Sequence, residues 1–131
     1  MYHSKEAGEL LKSVVDVYLA DFRYGNNRCA EKYSNVKKYI EIVKRNFKKA
    51  YQQSEIILRH LVLPEHLECC SKPTIEWTAE TIPDVRFNLM FQYTPYCKAH
   101  DYPEINRRVM LKERKKAIQT AKDFNIKDLL V

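Results

Sequence analysis

The chain has 131 residues, 45% of them hydrophobic and 31% charged, which is the composition of one folded domain with a real core and too little chain for two. Its net charge is +6 and it holds only two glycines, Gly8 and Gly25, which excludes a glycine-rich phosphate loop. No apolar run approaches the ~20 residues of a membrane span, and the opening M-Y-H-S-K-E-A lacks the apolar stretch of a signal peptide. A reducing, cytoplasmic setting is therefore expected for the four cysteines, Cys29, Cys69, Cys70 and Cys97, without a disulfide framework.

Ser4 predicts an N-cap for a short helix over residues 5–13, with Ala7, Leu10 and Leu11 on one face. The β-rich run 14–22 predicts a first strand, followed by a loop over 23–35 whose turn chemistry comes from Gly25-Asn26-Asn27. Val36, Tyr39, Ile40, Val43, Phe47, Ala50 and Tyr51 recur at helical spacing and predict an amphipathic helix over 36–53. The branched apolar run 56–63, ended by Pro64, predicts a strand buried on both faces. Ser71 is the expected cap of the next helix, with Pro73 in its first turn and Ile75, Thr78, Ala79 and Ile82 facing inward. A third strand over 85–91, a loop over 92–109, a helix over 110–125 and a short closing strand complete the order. Strands alternating with helices through short connections predict an α/β fold with about three to four parallel strands and right-handed crossovers.

Ligands of such sheets sit at the carboxyl ends of the strands, and that is where the polar residues fall. The two-residue strand period puts Asp21 and Arg23 on one face at the end of the first strand. Arg59 shares a face with Ile57 and Leu61 in the second, and Asn88 with Gln92 in the third. Arg59 cannot shed its charge, so in a buried strand it needs a carboxylate, and Asp21 is the expected partner. Loss of Asp21 is then expected to strand a buried cation.

His66-x-x-Cys69 and Cys97-x-x-His100 have zinc-like ligand spacing and lie in loops at the same rim, which keeps a small zinc-binding protein open as one reading. The vicinal pair Cys69-Cys70 is expected as two thiols, because a ring between neighbours is strained and no C-x-x-C is present. The lysines of 37–49 and the basic residues of 107–116 interleave with core positions. A solvated outer face explains them better than nucleic acid does. Tyr93, Tyr96 and Tyr102 are candidates to stack on a base or an adenine ring.

The segments V-D-V-Y-L-A-D-F-R-Y-G-N-N, A-E-K-Y-S-N-V, I-L-R-H-L-V-L-P-E-H-L-E-C-C, D-V-R-F-N-L-M-F-Q-Y-T-P and A-H-D-Y-P-E-I-N-R-R occur in this order. Together they resemble the carboxyl-terminal half of radical S-adenosylmethionine proteins similar to pyruvate formate-lyase activating enzyme. The resemblance implies a partial (β/α) barrel with S-adenosylmethionine and a [4Fe–4S] cluster at the carboxyl ends of its strands. In that family the cluster cleaves the cofactor to a 5′-deoxyadenosyl radical, which takes hydrogen from a glycine of a partner protein. Carried over by motif, Asp21, Arg23, Arg59, Asn88 and Gln92 would line the cofactor pocket. The C-x-x-x-C-x-x-C cluster motif is missing, Glu65 stands where the family commonly has glycine, and Thr94 where it commonly has arginine. The chain alone is therefore expected to bind neither cofactor nor cluster and to perform no radical chemistry. A separate amino-terminal half or self-association is the expected partner. The alternative is a standalone module, without radical chemistry, that binds a protein or nucleotide.

Overall fold

The computed structural model describes residues 1–131. Helix α1, Lys5–Leu10, starts where Ser4 accepts a hydrogen bond from the Ala7 N–H at 3.2 Å, but it is shorter than expected and none of its residues is buried. Leu10 is 80% exposed while Ala7 and Leu11 are partly buried, so the apolar stripe of this helix packs only in part.

Strands β1 (Val17–Asp21), β2 (Glu55–Leu61), β3 (Arg86–Met90) and β4 (Asp128–Leu130) form one parallel sheet in the order β1-β2-β3-β4. Sequential order with parallel strands requires each crossover to pass over the same face, because right-handed connections repeat without reversing. Helices α3 (Tyr39–Tyr51), α4 (Lys72–Thr81) and α5 (Leu111–Asp123) are those crossovers. The core therefore lies between them and one sheet face, where Ile56, Leu58, His60, Phe87 and Leu89 meet Val43, Phe47, Ile75, Ala117 and Ala121, all of them buried. Phe22, just past β1, is fully buried, stacked on Phe47 at 5.6 Å and edge-on to Trp77 at 5.5 Å.

The opposite face has no helix over it. Along β2, Ile56, Leu58 and His60 are buried while Ile57, Arg59 and Leu61 are only partly so. The apolar run of β2 reads as a strand covered on both sides, yet only one side is covered. On the other, Val17 and Leu19 of β1 are 45% and 58% exposed.

Two segments expected as loops are helical. Asn27–Ser34 forms α2, capped by the Asn26 side chain, which accepts from the Cys29 N–H at 2.8 Å, and ended by Asn35 in the left-handed region. After Pro64 the chain passes through a π turn, Leu67–Ser71, that runs straight into α4. Ser71 is itself in the right-handed helical region and caps nothing; its hydroxyl bonds to His60 instead. In the segment 92–109, Cys97–Asp101 and Pro103–Ile105 form short 3-10 turns.

In α5 the inward residues are Ala117 and Ala121, whereas Leu111, its first residue, is 67% exposed. Its first turn is held by Glu113, which accepts from the Met110 N–H at 2.8 Å and from the Glu65 N–H at 2.9 Å and forms a two-pronged pair with Arg107. Those bonds, Arg107 first, hold the Glu113 carboxyl down to about 2. They also tie the start of α5 to the loop after β2.

Candidate functional sites at the carboxyl ends of the strands

On the uncovered face, parallel register sets Asp21 opposite Arg59 and Arg59 opposite Asn88. Three of the five residues singled out from sequence thus form one row across three strands. Arg59 Nε donates to Asp21 Oδ1 at 2.7 Å, and Arg23 Nη2 donates to Asp21 Oδ2 at 3.4 Å. Gln92 lies beyond the end of β3, exposed, with Nε2 3.3 Å from Met90 Sδ. It does not join the row.

The Arg59–Asp21 pair was expected; its depth was not. The side chains of Arg59 and Asp21 are 35% and 28% exposed, because no layer covers this face. The cost of a stranded, fully buried cation therefore does not apply. Asp21→Ala is expected to lower stability by only about 0.5–1 kcal/mol in urea titration, the range of partly exposed ion pairs. A loss of about 3 kcal/mol or more would show that the face is covered in solution.

Beside the row lies a cleft of about 530 Å³, lined mainly by Arg23, Tyr24, Leu61, Tyr93, Tyr96 and Tyr102. The three tyrosines named from sequence as stacking candidates therefore share one cavity at the carboxyl end of the sheet.

A second group is built by α2, the loop after β2 and the π turn. Cys29, His66 and Cys69 each bring one ligand atom to within 4.8 Å of the others. Cys29 and His66 are buried and Cys69 partly so. His66 Nδ1 lies 2.6 Å from the Pro64 carbonyl oxygen, which can only accept, so Nδ1 carries the hydrogen. Its Nε2 is 2.9 Å from the Tyr33 hydroxyl, which is also 2.6 Å from Glu104 Oε1. Lys32 bonds to the same Glu104 oxygen, and together Lys32 and Tyr33 hold that carboxyl down to about 2. Burial, then the Glu104 bond, pushes the Tyr33 hydroxyl up, so it stays protonated.

Asn26 binds this group together. Its Nδ2 donates to the Cys69 carbonyl at 2.7 Å and approaches Cys29 Sγ at 3.3 Å, while its Oδ1 caps α2 at Cys29. Cys69 Sγ and Cys70 Sγ are 3.9 Å apart and both are free thiols, pushed up chiefly by burial. The pairing suggested by spacing is half right. His66 and Cys69 meet, but Cys97 and His100 do not join them: both are exposed, and His100 Nδ1 is bonded to Asn106. Cys29 takes their place, and it is α2, unseen in the sequence, that delivers it.

Over 126 residues the chain is 45% identical to an uncharacterized protein of Methanocaldococcus jannaschii, a match covering 96% of this chain and 37% of that protein. The likeness is to part of a longer protein. No family model matches the chain, and no solved structure does. No helix is long and apolar enough to cross a membrane.

Proposed function

We propose that the chain is the carboxyl-terminal portion of a radical S-adenosylmethionine protein similar to pyruvate formate-lyase activating enzyme, forming part of a (β/α) barrel and one wall of its pocket. The observation that carries this reading is the Asp21–Arg59–Asn88 row, on the uncovered face of a parallel sheet and beside the tyrosine-lined cleft. Ligands of parallel sheets bind at that end. Sequential strand order with helices on one side is the topology of a barrel arc, whose bare face corresponds to a barrel interior. The relative's length beyond the matched 37% is ample for a facing half. Until that half arrives, the bare face with Val17 and Leu19 would be covered by self-association.

Two guanidiniums, Arg23 and Arg59, share one carboxylate, Asp21. The surplus positive charge suits the carboxylate of the cofactor's methionine moiety, and the tyrosines suit its adenine. The cofactor's part in the chemistry would be to furnish a 5′-deoxyadenosyl radical for hydrogen abstraction from a glycine of a partner protein. A [4Fe–4S] cluster does not fit the residues of this chain. Two thiols and an imidazole crowded within 4.8 Å of one another suit one ion, not the corners of a cubane, and Cys97 lies elsewhere. The electron would have to come from a cluster on another segment.

The test is complementation. The part of the M. jannaschii protein outside the matched region, expressed separately, is mixed anaerobically with this chain, iron, sulfide and dithionite. The expected result is a complex that converts S-adenosylmethionine to 5′-deoxyadenosine, at least tenfold more slowly with Arg59→Ala. No complex, or a complex that forms no 5′-deoxyadenosine, overturns the reading.

A further inference from the structure

We propose that Cys29, Cys69 and His66 form a binding site for a single zinc-class divalent ion, with two sulfur ligands, one imidazole ligand and a fourth position open to solvent. This site lies apart from the Asp21–Arg59–Asn88 row and does not depend on the reading given to that row.

Three observations converge on it. The first is the donor set. Two cysteine sulfurs and one imidazole, gathered from three separate segments to within 4.8 Å of one another, match zinc, and thiolate donors disfavour calcium and magnesium.

The second is the outer shell. Metal-binding histidines characteristically donate their other ring N–H to a carbonyl or carboxylate. His66 does so to Pro64 at 2.6 Å, which leaves the Nε2 lone pair as its only donor toward an ion. Asn26 holds the segments of both cysteines through the Cys29 N–H and the Cys69 carbonyl, and directs an amide N–H at the Cys29 sulfur.

The third is a hydrogen count. Tyr33 has one O–H, yet two acceptors compete for it, His66 Nε2 at 2.9 Å and Glu104 Oε1 at 2.6 Å. The shorter bond gives that hydrogen to Glu104, which leaves the buried Nε2 lone pair without a proton donor. A cation takes that lone pair once the Tyr33 hydroxyl swings aside. Binding is balanced by proton release: both thiols give their hydrogens to solvent, and two thiolates with a dipositive ion leave a neutral centre.

The group opens on a cleft of about 490 Å³ whose rim includes Arg28, Lys32, Tyr33 and Glu104. Three protein ligands beside an open cleft leave room for water or an exogenous anion, as reactive zinc sites do and closed structural ones do not.

The experiment uses the full chain, stripped with a chelator under anaerobic reduction and titrated with Zn(II) against a chromophoric competitor. One equivalent is expected. Cys29→Ser and Cys69→Ser should each weaken binding by about 100-fold or more, whereas Cys97→Ser and His100→Ala should leave it unchanged. Because Cys29 is buried and its variant can fail to fold, the unaltered chain gives a second readout. Zn(II) should protect the partly exposed Cys69, but not the exposed Cys97, from iodoacetamide in peptide mapping. No saturable uptake, uptake lost with Cys97 or His100, or equal alkylation with and without zinc overturns the site.

Discussion

Gly25→Ala is expected to destabilise the chain by about 3 kcal/mol or more, at the upper end for overpacking. A Cβ on Gly25 would fall 2.4 Å from the Cys70 carbonyl oxygen, 2.7 Å from Cys70 Cα and 2.9 Å from the Cys69 carbonyl oxygen. All three are backbone atoms of the π turn, so no rotamer change relieves the clash. The φ of Gly25 is not positive; glycine is required here by close approach and not by conformational freedom. Relief requires the loop after β1 to lift off the π turn. That would carry Asn26 away from the Cys69 carbonyl and Cys29 away from Cys69 and His66, so zinc uptake should fall together with stability. Gly8→Ala is the internal control. Its Cβ would meet only the His3 ring, at 3.1 Å, a half-buried side chain and not backbone, and alanine favours the helix. Urea melts of the two variants should therefore separate by several kcal/mol. Coincident curves would mean that the tight contact between Gly25 and the π turn is not present in solution.

The parts of the fold that were legible are those where one physical signal acts alone. The 3.6-residue stripe through Val43, Phe47 and Ala50 gave α3, and the two-residue period turned Asp21, Arg59 and Asn88 each toward one rim, where the parallel register joins them into a row. Helix α2 was hidden because Gly25-Asn26-Asn27 carries turn chemistry and N-cap chemistry in the same residues. In the structure Asn26 caps, and the helix that follows has only Cys29 and Ala30 buried, too little apolar surface to announce itself. The bare sheet face was hidden for a different reason. Ile57 and Leu61 are as apolar as Ile56 and Leu58, so composition cannot show that helices cover one side only. Glu65 is more telling. It has a φ of 61°, a left-handed backbone that favours glycine, and it stands where the resembled family commonly has glycine. Its N–H bond to Glu113 and its side-chain pair with Arg107 help to offset the strain. Glutamate here holds a left-handed conformation that glycine takes without strain.

The metal-ligand group lay beyond sequence reading because its third member depends on the hidden helix. His66 and Cys69 are close in sequence and were paired by spacing. Cys29 reaches them only because Asn26 starts α2 where Gly25 lets the loop touch the π turn. Each of these steps is local, but their product is a contact between residues distant in sequence. Cys97 and His100 show the converse, since ligand-like spacing in an exposed 3-10 turn brings them no nearer to the other donors.

Lowering the pH from 6.5 to 4 is expected to remove about 3 kcal/mol of stability through His60 alone. This side chain is fully buried between β2 and the start of α4. Its Nδ1 donates to the Phe22 carbonyl at 2.6 Å, and its Nε2 accepts from the Ser71 hydroxyl at 2.9 Å. Both ring nitrogens are satisfied in the neutral form, and burial lowers the pKa to about 4 against the small opposing pull of the Phe22 carbonyl. The unfolded chain takes up a proton as pH falls through about 6.5, while the folded chain resists until about 4. Stability is therefore complete above 6.5 and declines by about 1.4 kcal/mol per pH unit across the interval. Glu104 and Glu113, both held from 4.5 down to about 2, lose their contribution as pH falls from about 4.5, where the unfolded carboxyls take up protons, so the span from 6.5 to 5 largely separates His60 from them. His60→Gln provides the comparison, because an amide can still donate to Phe22 and accept from Ser71 without titrating. It should cost about 1–2 kcal/mol at pH 7 and flatten the slope between pH 6.5 and 5. Equal slopes in parent and variant would assign the acid sensitivity elsewhere. The same clamp holds Ser71, two residues from Cys69, so protonating His60 loosens the π turn on which the cysteine group is built.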